Sequence, residues 1–437
     1  MHAATFCALL AEAFLAGDWQ PADMARRGSA MIDAAGSQRR WMRRLAGRVA
    51  ESLPRGEHLT PARVASFVER DLGFRRVWST WLSSCRIRQR FWVHPTMGPS
   101  QLPLEAALPQ VATAGQLADW LGVGVSELAG FADLQGRHLR ASARSRRHYR
   151  RRWREPRSVA GSPRLLEAPK DRLRRLQRRI LRGILSQVQV HDAAHGFVPG
   201  RSVHSCAARH ACRPVLVRMD LSAFFTGIDG RRVAGLFEAM GIPRTVARVL
   251  AGLCTTATPA DELAALAHTW WLRVLYARPH LPQGAPTSPA LANLCAFRLD
   301  ARLDAFARSK GWRYTRYADD LYLSGPDRPH RLVRMVHRIA RQESFTVNAR
   351  KTSIMRPGRA HRCLGLSVDR QPAVPRQLRE RLEAILTNCV RHGPNGQNRE
   401  GHPDFRRHLE GRVAWVTAAC PRHGERFARL LEEIQWP

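Results

Sequence analysis

Lysine is almost missing from this 437-residue chain. Three lysines, Lys170, Lys310 and Lys351, stand against 68 arginines. Genomic base composition can replace lysine by arginine, so chance survival is one explanation for each remaining lysine. The other is chemistry, because the pKa of an ammonium group can be tuned whereas a guanidinium stays protonated in proteins. The three lysines are therefore candidates for functions that arginine cannot perform.

Other absences exclude whole classes of protein. Nine cysteines are scattered without a Cys-x-x-Cys pair, which argues against a zinc ribbon and against a disulfide framework. No run of 18 apolar residues exists, so no membrane-spanning helix is predicted. The N-terminus lacks the charged flank and apolar segment of a signal peptide. Together these absences predict a protein of the reducing cytoplasm that is not bound to a membrane.

Acidic residues are too few to balance the basic ones. The chain has 36 Asp+Glu against 71 Lys+Arg, a net charge of +35, and such self-repulsion favours a nucleic-acid partner. Segment 137–182 concentrates the imbalance, with 18 basic and 3 acidic residues. His148, Tyr149 and Trp153 alternate there with arginines, which suits phosphate contact with base stacking; a solvated charged face is the alternative. From Leu173 to Leu185 the apolar residues recur at helical spacing.

Two adjacent carboxylates carry the strongest chemical signal. Residues 313–325 read as two strands joined by a tight turn that contains Asp319 and Asp320. Asp220 closes another apolar strand and can face them. Three carboxylates around two Mg²⁺ ions would clamp the attacking 3′-hydroxyl and the leaving pyrophosphate of an in-line displacement. Lys351 follows the hairpin and one helix, and could protonate that pyrophosphate; a solvated surface charge is the alternative.

Other punctuated segments suggest local structure. Gln283 lies in the Gly/Pro-rich loop 281–289, where its amide could line a nucleotide pocket, and a helix is predicted over 290–308. Ser202 ends another such loop as a predicted helix cap. Segment 113–130 reads as two short helices around a glycine turn, with Thr113 and Ser126 as caps.

The ordered motifs resemble the blocks of reverse transcriptases, most closely the bacterial retron type. The resemblance covers about residues 140–370. It is carried by these segments: Arg164-Leu-Leu-Glu-Ala-Pro, His195-Gly-Phe-Val-Pro-Gly-Arg-Ser, Asp220-Leu-x-x-Phe-Phe, Leu281-Pro-Gln-Gly-Ala-Pro-Thr-Ser-Pro, Tyr317-Ala-Asp-Asp, Asn348-x-x-Lys-Thr and Leu364-Gly.

The resemblance implies a right-hand polymerase of α/β (α+β) class. Fingers and a palm with an antiparallel sheet would occupy 140–370, and a helical thumb would occupy 371–437. A helical N-terminal extension would occupy 1–112, followed by a helical hairpin linker over 113–139.

Site roles follow from the resemblance at matching positions. They are as follows: Asp220, Asp319 and Asp320 as Mg²⁺ ligands; Phe225 as the steric gate against a ribose 2′-hydroxyl; Gln283 at the incoming nucleotide; Arg164 on its triphosphate; Tyr317 at the primer terminus; and Lys351 as the general acid.

The implied activity is RNA-directed DNA synthesis from dNTPs with two Mg²⁺ ions. A retron enzyme primes from the 2′-hydroxyl of a guanosine in a structured noncoding RNA. It makes a branched RNA–DNA hybrid (msDNA) used in antiphage defence. That RNA, the hybrid product and an effector protein encoded nearby are the expected partners.

Two motifs depart from the retron pattern. Cys206-Ala-Ala-Arg-His210 replaces Asn-Ala-x-x-His, and Cys363-Leu-Gly replaces Val-Thr-Gly; both motifs are associated with recognition of the cognate RNA. Free cysteines in such places are commonly small core residues. The alternatives that share the palm are a group II intron or CRISPR-associated reverse transcriptase, a template-independent or protein-primed defence polymerase, and an RNA-binding scaffold with an inactive palm.

Overall fold

The structure is a computed structural model that describes residues 2–17, 19–53, 59–91, 96–137, 139–140, 147–154, 163–266 and 269–436. The chain divides into two compact units, Met1–Gly98 and Pro99–Pro437. The division comes earlier than the boundary at residue 112 that the sequence predicts. In the described residues no helix is both long and apolar enough to cross a membrane.

The N-terminal unit is helical and has a core of its own. Its helices are α1 (Ala3–Leu15), α2 (Pro21–Ile32), α3 (Gly36–Ser52), α4 (Pro61–Arg70) and α5 (Leu72–Thr80). Asp71 begins α5 by accepting a hydrogen bond from the Phe74 amide at 2.7 Å, and it also pairs with Arg48 of α3 at 2.8 Å. The buried cluster of this unit draws only on residues up to Leu82, with Phe91 the last residue packed against it.

The second unit mixes helices with short strands. Its helices are α6 (Ala114–Leu121), α7 (Val125–Ala132), α8 (Asp171–Gly183), α9 (Val203–Ala208), α10 (Gly230–Ala239), α11 (Arg244–Cys254), α12 (Trp270–Ala277), α13 (Ser288–Cys295), α14 (Phe297–Ser309), α15 (Pro329–Gln342), α16 (Arg376–His392), α17 (Phe405–Ala419) and α18 (Pro421–Glu432). Its strands are β1 (Tyr149–Arg154), β2 (Arg164–Pro169), β3 (Val215–Ser222), β4 (Arg313–Tyr317), β5 (Asp320–Gly325), β6 (Thr346–Val347), β7 (Ser353–Met355), β8 (Arg362–Cys363) and β9 (Leu366–Ser367).

The central sheet is antiparallel, with order β4–β5–β3–β6 and β7 also paired to β3. Along β3 the side chains alternate, as a strand requires. Val217, Met219 and Leu221 are buried on one face, while Arg218 and Asp220 share the other. The mixed α/β class with an antiparallel sheet agrees with the prediction.

Some predictions of helix caps and helix bounds are confirmed, and others are wrong. Thr113 caps α6 and Ser202 caps α9, both as predicted. Ser126 is not a cap, because α7 begins at Val125 after Gly124. The single helix predicted over 290–308 is two helices, α13 and α14, which meet at Ala296.

The basic segment forms a strand rather than a surface with exposed aromatic rings. On β1 the side chains of Arg150, Arg152 and Arg154 are exposed, while Tyr149 is buried. Trp153 is half-buried, and its indole N–H donates to the Glu262 carbonyl at 3.1 Å. The expected base stacking by these rings is therefore wrong for this arrangement, because period-2 alternation turns them inward. Parts 141–146 and 155–162 of the segment lie outside the described residues.

The C-terminal helices α16, α17 and α18 share one buried cluster with the central sheet. Leu216 of β3 and Tyr322 of β5 pack there with Leu386, Val413 and Phe427. Leu216 and Asp220 are four positions apart on β3, and side chains an even number of positions apart share one face of a strand. The cluster therefore lies on the face of the sheet to which Asp220 belongs.

Candidate active site

The antiparallel pairing of β3 and β5 brings the predicted carboxylates together. Asp220 lies directly opposite Asp320 in the ladder, and Tyr317 pairs with Asp320 across the β4–β5 hairpin. Asp319 lies in the turn, where its carbonyl accepts a hydrogen bond from the Leu221 amide at 2.8 Å. Ala318 takes the left-handed conformation that closes this turn, with φ of 54°. The tight turn predicted from the sequence is confirmed.

Two cations hold two of these carboxylates. Lys351 Nζ lies 2.8 Å from Asp220 Oδ1. Arg218 forks onto Asp320, with Nη2 at 3.0 and 3.1 Å from the two carboxylate oxygens. Like charges directly opposite each other destabilise a strand pair, so the ammonium and the guanidinium offset the repulsion between Asp220 and Asp320.

The electrostatics of the turn favour a further cation. Burial raises the pKa of Asp319 above its ordinary value; Asp220 adds to the rise, and Arg164 and Lys351 oppose it. Burial also raises the pKa of Asp320, which Arg218 partly offsets. The charged forms of both groups are therefore disfavoured until positive charge is supplied.

The donor chemistry fits Mg²⁺, although the present arrangement is not a finished metal shell. Three carboxylates converge from β3 and the hairpin turn, and oxygen donors are what Mg²⁺ prefers. Within the described residues no three acidic, histidine or cysteine side chains are placed to hold a metal ion together. Lys351 and Arg218 occupy carboxylate oxygens that a metal would use.

A buried arginine anchors the hairpin from behind. Arg316 of β4 is fully buried and donates to both carboxylate oxygens of Asp300, at 2.9 and 2.6 Å. Its other terminal nitrogen donates to Asn293 Oδ1 at 2.9 Å and to the Ala318 carbonyl at 3.0 Å. The guanidinium thus connects α13 and α14 to the turn at Ala318–Asp319.

The loop at residues 195–202 packs directly onto that turn. The Asn293 amide donates to the Gly196 carbonyl at 2.9 Å. A Cβ at Gly196 would lie 2.5 Å from the Ala318 nitrogen, so only glycine fits here. The next residue, Phe197, is half exposed, and its ring lies 6.2 Å from that of Phe225. The predicted gate residue therefore lies beside a second aromatic ring.

The fingers strand β2 carries Arg164 and contacts the loop of Gln283. The Glu167 amide donates to the Gln283 carbonyl at 2.8 Å. A Cβ at Gly284 would lie 3.2 Å from the Glu167 carbonyl oxygen, and its φ of 128° also favours glycine. Arg164 is exposed at the start of β2, on the same face as Arg152 and Arg154, its neighbours across the ladder.

A buried ionic cluster fixes the contact between β2 and that loop. Glu167 is fully buried, with Oε2 2.7 Å from His280 Nε2 and Oε1 2.9 Å from Arg151 Nε. Thr258 donates to the same carboxylate at 3.1 Å. Burial pushes the pKa of Glu167 upward, but His280 and Arg151 outweigh it and hold the pKa below its ordinary value.

The two altered retron motifs lie together in the core. Cys206 and Cys363 are both fully buried in the cluster of α16–α18. Cys206 Sγ is 3.1 Å from Thr315 Oγ1, and His210 bridges Thr315 at 2.7 Å and Ser324 at 2.8 Å. These side chains tie α9 to β4 and β5, which is the structural role suggested for buried cysteine.

The structure adds site residues that the sequence reading missed. Arg218 had a usable signal, since it lies two residues before Asp220 and so shares its strand face. Arg316 and Phe197 had none, because neither burial of an arginine nor exposure of an aromatic ring follows from local spacing. Glu167 and His280 are 113 positions apart, and only tertiary contact relates them.

Comparison with known proteins places the chain beside one family and several relatives. The family described as "Reverse transcriptase (RNA-dependent DNA polymerase)" matches residues 154–368. The retron Mx65 reverse transcriptase of Myxococcus xanthus is 41% identical over 274 residues, 62% of this chain and 61% of that protein. The retron Mx162 reverse transcriptase of the same organism is 34% identical over 346 residues, 75% of this chain and 68% of that protein.

A third relative comes from another organism. The retron Ec86 reverse transcriptase of Escherichia coli is 30% identical over 211 residues, 48% of this chain and 59% of that protein. The matched family region contains Asp220, Gln283 and the Asp319–Asp320 turn. This chain therefore belongs to the retron-type reverse transcriptases, a family of RNA-directed DNA polymerases.

Proposed function

We propose that this chain copies a structured noncoding RNA into DNA at the Asp220–Asp319–Asp320 site. One observation carries the proposal most directly: Asp220 faces Asp320 across an antiparallel ladder, beside the Asp319 turn, with Lys351 2.8 Å from Asp220. Opposed carboxylates with raised pKa values for Asp319 and Asp320 suit divalent cations.

Each further site residue has a proposed task. The three aspartates would hold two Mg²⁺ ions, which when bound supply charge neutralisation at the reacting phosphate. Metal binding requires Lys351 and Arg218 to release carboxylate oxygens. Freed from Asp220, the Lys351 ammonium can donate its proton to the departing pyrophosphate.

Substrate selection is assigned to the surrounding surface. Arg164 would bind the triphosphate. Its positive charge lowers the pKa of Asp319, so it lies near enough to act on a ligand bound there. Gln283 would contact the incoming dNTP from the loop fixed on β2, and Phe225 would exclude a ribose 2′-hydroxyl. Tyr317, paired with Asp320, would support the primer terminus. Helices α16–α18 would form the thumb.

The product we propose is a branched RNA–DNA molecule used in antiphage defence in the cytoplasm. Priming would begin at the 2′-hydroxyl of a guanosine in the chain's own RNA, and an effector protein encoded nearby would act with it. The names of the Mx65, Mx162 and Ec86 relatives support the retron assignment.

Nucleic acid purified with the protein from its native operon tests the proposal. Sequencing should find a short DNA joined 2′–5′ to one structured RNA. Linear DNA templated by other RNAs would instead indicate a different reverse-transcriptase class, and untemplated DNA a template-independent polymerase. RNA with no DNA would favour a binding scaffold. An Asp319→Asn preparation is the matched control, since it should keep the RNA and lose the DNA.

A further inference from the structure

Helix α15 exposes a row of arginines outside the catalytic site. The row comprises Arg331, Arg334, Arg338 and Arg341, and all four side chains are exposed. Their spacing of three, four and three residues aligns them along one face. Leu332, Val336 and Ile339 are buried on the opposite face of the same helix. The helix therefore packs through one side and presents a continuous basic stripe on the other.

The described ion pairs give this stripe no acidic partner. Helix α15 contains no Asp or Glu. Across the described ion pairs, none includes an arginine of the α15 row. Like charges three and four residues apart destabilise a helix, so the stripe opposes folding unless an anion lies against it.

The neighbouring helix shows that composition alone does not produce such a stripe. On α14, Arg298 and Arg302 both pair with Glu343. Arg308 of the same helix pairs with Asp304. A base-composition bias explains arginine in place of lysine in both helices, but it does not explain why the described ion pairs include the arginines of α14 and not those of the α15 row.

The row is separate from the carboxylate site. Asp320 and Tyr322 share one face of β5, and the buried cluster around Tyr322 contains residues of α9 and α16–α18. No residue of α15 belongs to that cluster. The helix links β5 to β6 and packs against α14. Asp300 of α14 binds Arg316, which lies opposite Leu321 and therefore on the sheet face away from Asp320. The exposed arginines of α15 thus lie outside the Asp220–Asp320 site.

The chemistry of the row selects a phosphate backbone. Ten residues of helix span about 15 Å, the length of about four phosphates along one strand of a duplex. Guanidinium groups bind phosphate oxygens in a fork. The helix carries no Trp, Tyr or Phe, and its rings are the imidazoles of His330 and His337, the smallest of the side chains that stack on unpaired bases. Backbone contact with a base-paired segment fits these features better than contact with a single strand.

We propose that the α15 row binds the phosphate backbone of a base-paired RNA segment outside the catalytic cleft. The inference rests on the proposed function and extends it, because a stem of the template RNA is held while another part is copied. An acidic protein would share the charge complementarity but not the regular spacing, so it is the rival occupant.

The test compares two full-length variants that lose the same charge. One carries Arg331→Gln, Arg334→Gln, Arg338→Gln and Arg341→Gln. The matched control carries Arg231→Gln, Arg244→Gln, Arg298→Gln and Arg308→Gln, four exposed arginines that each have an acidic partner. The probe is a labelled RNA hairpin of about 16 base pairs, titrated at several KCl concentrations.

We expect the row variant to bind the hairpin at least about tenfold more weakly near physiological salt, with a salt slope smaller by about 3. The control should bind like the unmodified protein. Extension of a DNA primer on an unstructured RNA template should be unchanged in both. Equal losses in the two variants, or no loss in either, would overturn the proposal. The proposal would also be overturned if the row variant still bound the hairpin but no longer bound polyglutamate, the probe for an acidic protein.

Two further measurements separate folding and function from binding. The corresponding Arg→Lys variant keeps the charges but loses the fork, so its hairpin affinity should lie between those of the wild type and the Gln variant; affinity as low as that of the Gln variant, with an unchanged melting temperature, would contradict backbone binding by charge. If the fourfold Gln variant does not fold, Arg334→Gln with Arg338→Gln replaces it. If the wild-type protein binds the hairpin through the row but extends no primer, the proposed polymerase function is wrong and the proposed RNA binding by the row still stands.

Discussion

At the residue scale, the three proposed metal-binding carboxylates differ in their partners. Asp220 and Asp320 each have a cationic partner, whereas Asp319 lies in the turn with a pKa raised mainly by burial. A group in that situation binds a metal or a proton more readily than it stays a free anion. Asp319 is therefore the clearest place to test the metal assignment.

Asp319→Asn should abolish primer extension while RNA binding survives. The amide keeps the size of the side chain but removes the charge that the metal needs. Extension assays and RNA gel shifts measure the two properties separately. Asp327→Asn, on an exposed residue just after β5, is the control and should extend normally. Synthesis by the Asp319 variant would show that the metal is held elsewhere.

Phe225→Ala should admit ribonucleotides. The ring is half-buried against Phe224, 5.5 Å away, so it is held in place. Its removal opens space where a 2′-hydroxyl would lie. Incorporation of rNTPs against dNTPs on the same primer measures the selectivity, with Phe197→Ala as the matched aromatic control. Unchanged sugar selectivity in the Phe225 variant would remove its gate role.

Sequence reasoning identified most of the proposed site residues because they lie in ordered local motifs. It identified the strand ending at Asp220 and the hairpin at Asp319 because alternation and a tight turn are local properties. It missed Arg218, Arg316 and Phe197, whose importance depends on partners from other elements. Trp153 misled it, since an aromatic ring among arginines indicates stacking until strand alternation turns the ring inward.

At the element scale, the hairpin depends on a buried ion pair between two elements. Arg316 of β4 and Asp300 of α14 are both fully buried, and Tyr314 also donates to Asp300 at 2.8 Å. Burial alone disfavours the guanidinium charge, but Asp300 raises the pKa of Arg316 above its ordinary value. The position of the turn at Asp319 thus depends on both β4 and α14.

Arg316→Met should destabilise the protein by about 3–5 kcal/mol, because it leaves Asp300 buried without its partner. Urea unfolding followed by tryptophan fluorescence measures the loss. Arg308→Gln, which breaks a partly exposed pair on the same helix, is the control and should change stability little. Equal stability of the Arg316 variant and the wild type would mean that the pair contributes nothing net.

Acid should weaken the tie between α9 and the hairpin. Burial, reinforced by His195, Arg313, Arg209 and Arg213, lowers the pKa of His210 to about 3. The unfolded chain binds that proton near pH 6.5, so stability is full above this pH and falls on acidification by up to about 1.4 kcal/mol per pH unit. Urea midpoints between pH 7 and 5 check this. His210→Gln should flatten the dependence, whereas exposed His330→Gln should not.

At the scale of the whole molecule, two units have separate cores. The described cluster of the N-terminal unit draws on no residue after Phe91, and the described clusters around α16–α18 and around Leu165 draw only on residues of the second unit. The sequence predicted a helical extension and a mixed α/β polymerase region from periodicity and motif order. The boundary near Gly98 was missed although the sequence marks it: His94-Pro-Thr-Met-Gly-Pro99 interrupts the helical spacing, and residues 99–112 contain no Lys or Arg, unlike the Arg-rich extension.

Deletion of residues 1–98 should leave a folded polymerase. Each unit has a buried apolar cluster made of its own residues, and a unit with its own core can in principle fold alone. The chain from Pro99 onward, with an initiating methionine, should unfold cooperatively and extend a primer on an unstructured RNA template. A matched truncation at residue 112 removes the bridge between Leu104 and Val188 and should be less stable. Loss of extension by the longer truncated chain would show that the first unit contributes to the active site.

The scarcity of lysine has a practical consequence. Amine-directed reagents have only the N-terminus and three side chains to modify in the whole chain, and one of these, Lys351, lies half exposed against Asp220. Lys310 is also exposed, so the label must be located residue by residue before Lys351 can report on the proposed reaction centre. The degree of Lys351 labelling, read by peptide mass spectrometry, becomes a measure of whether the centre is closed by nucleotide or open.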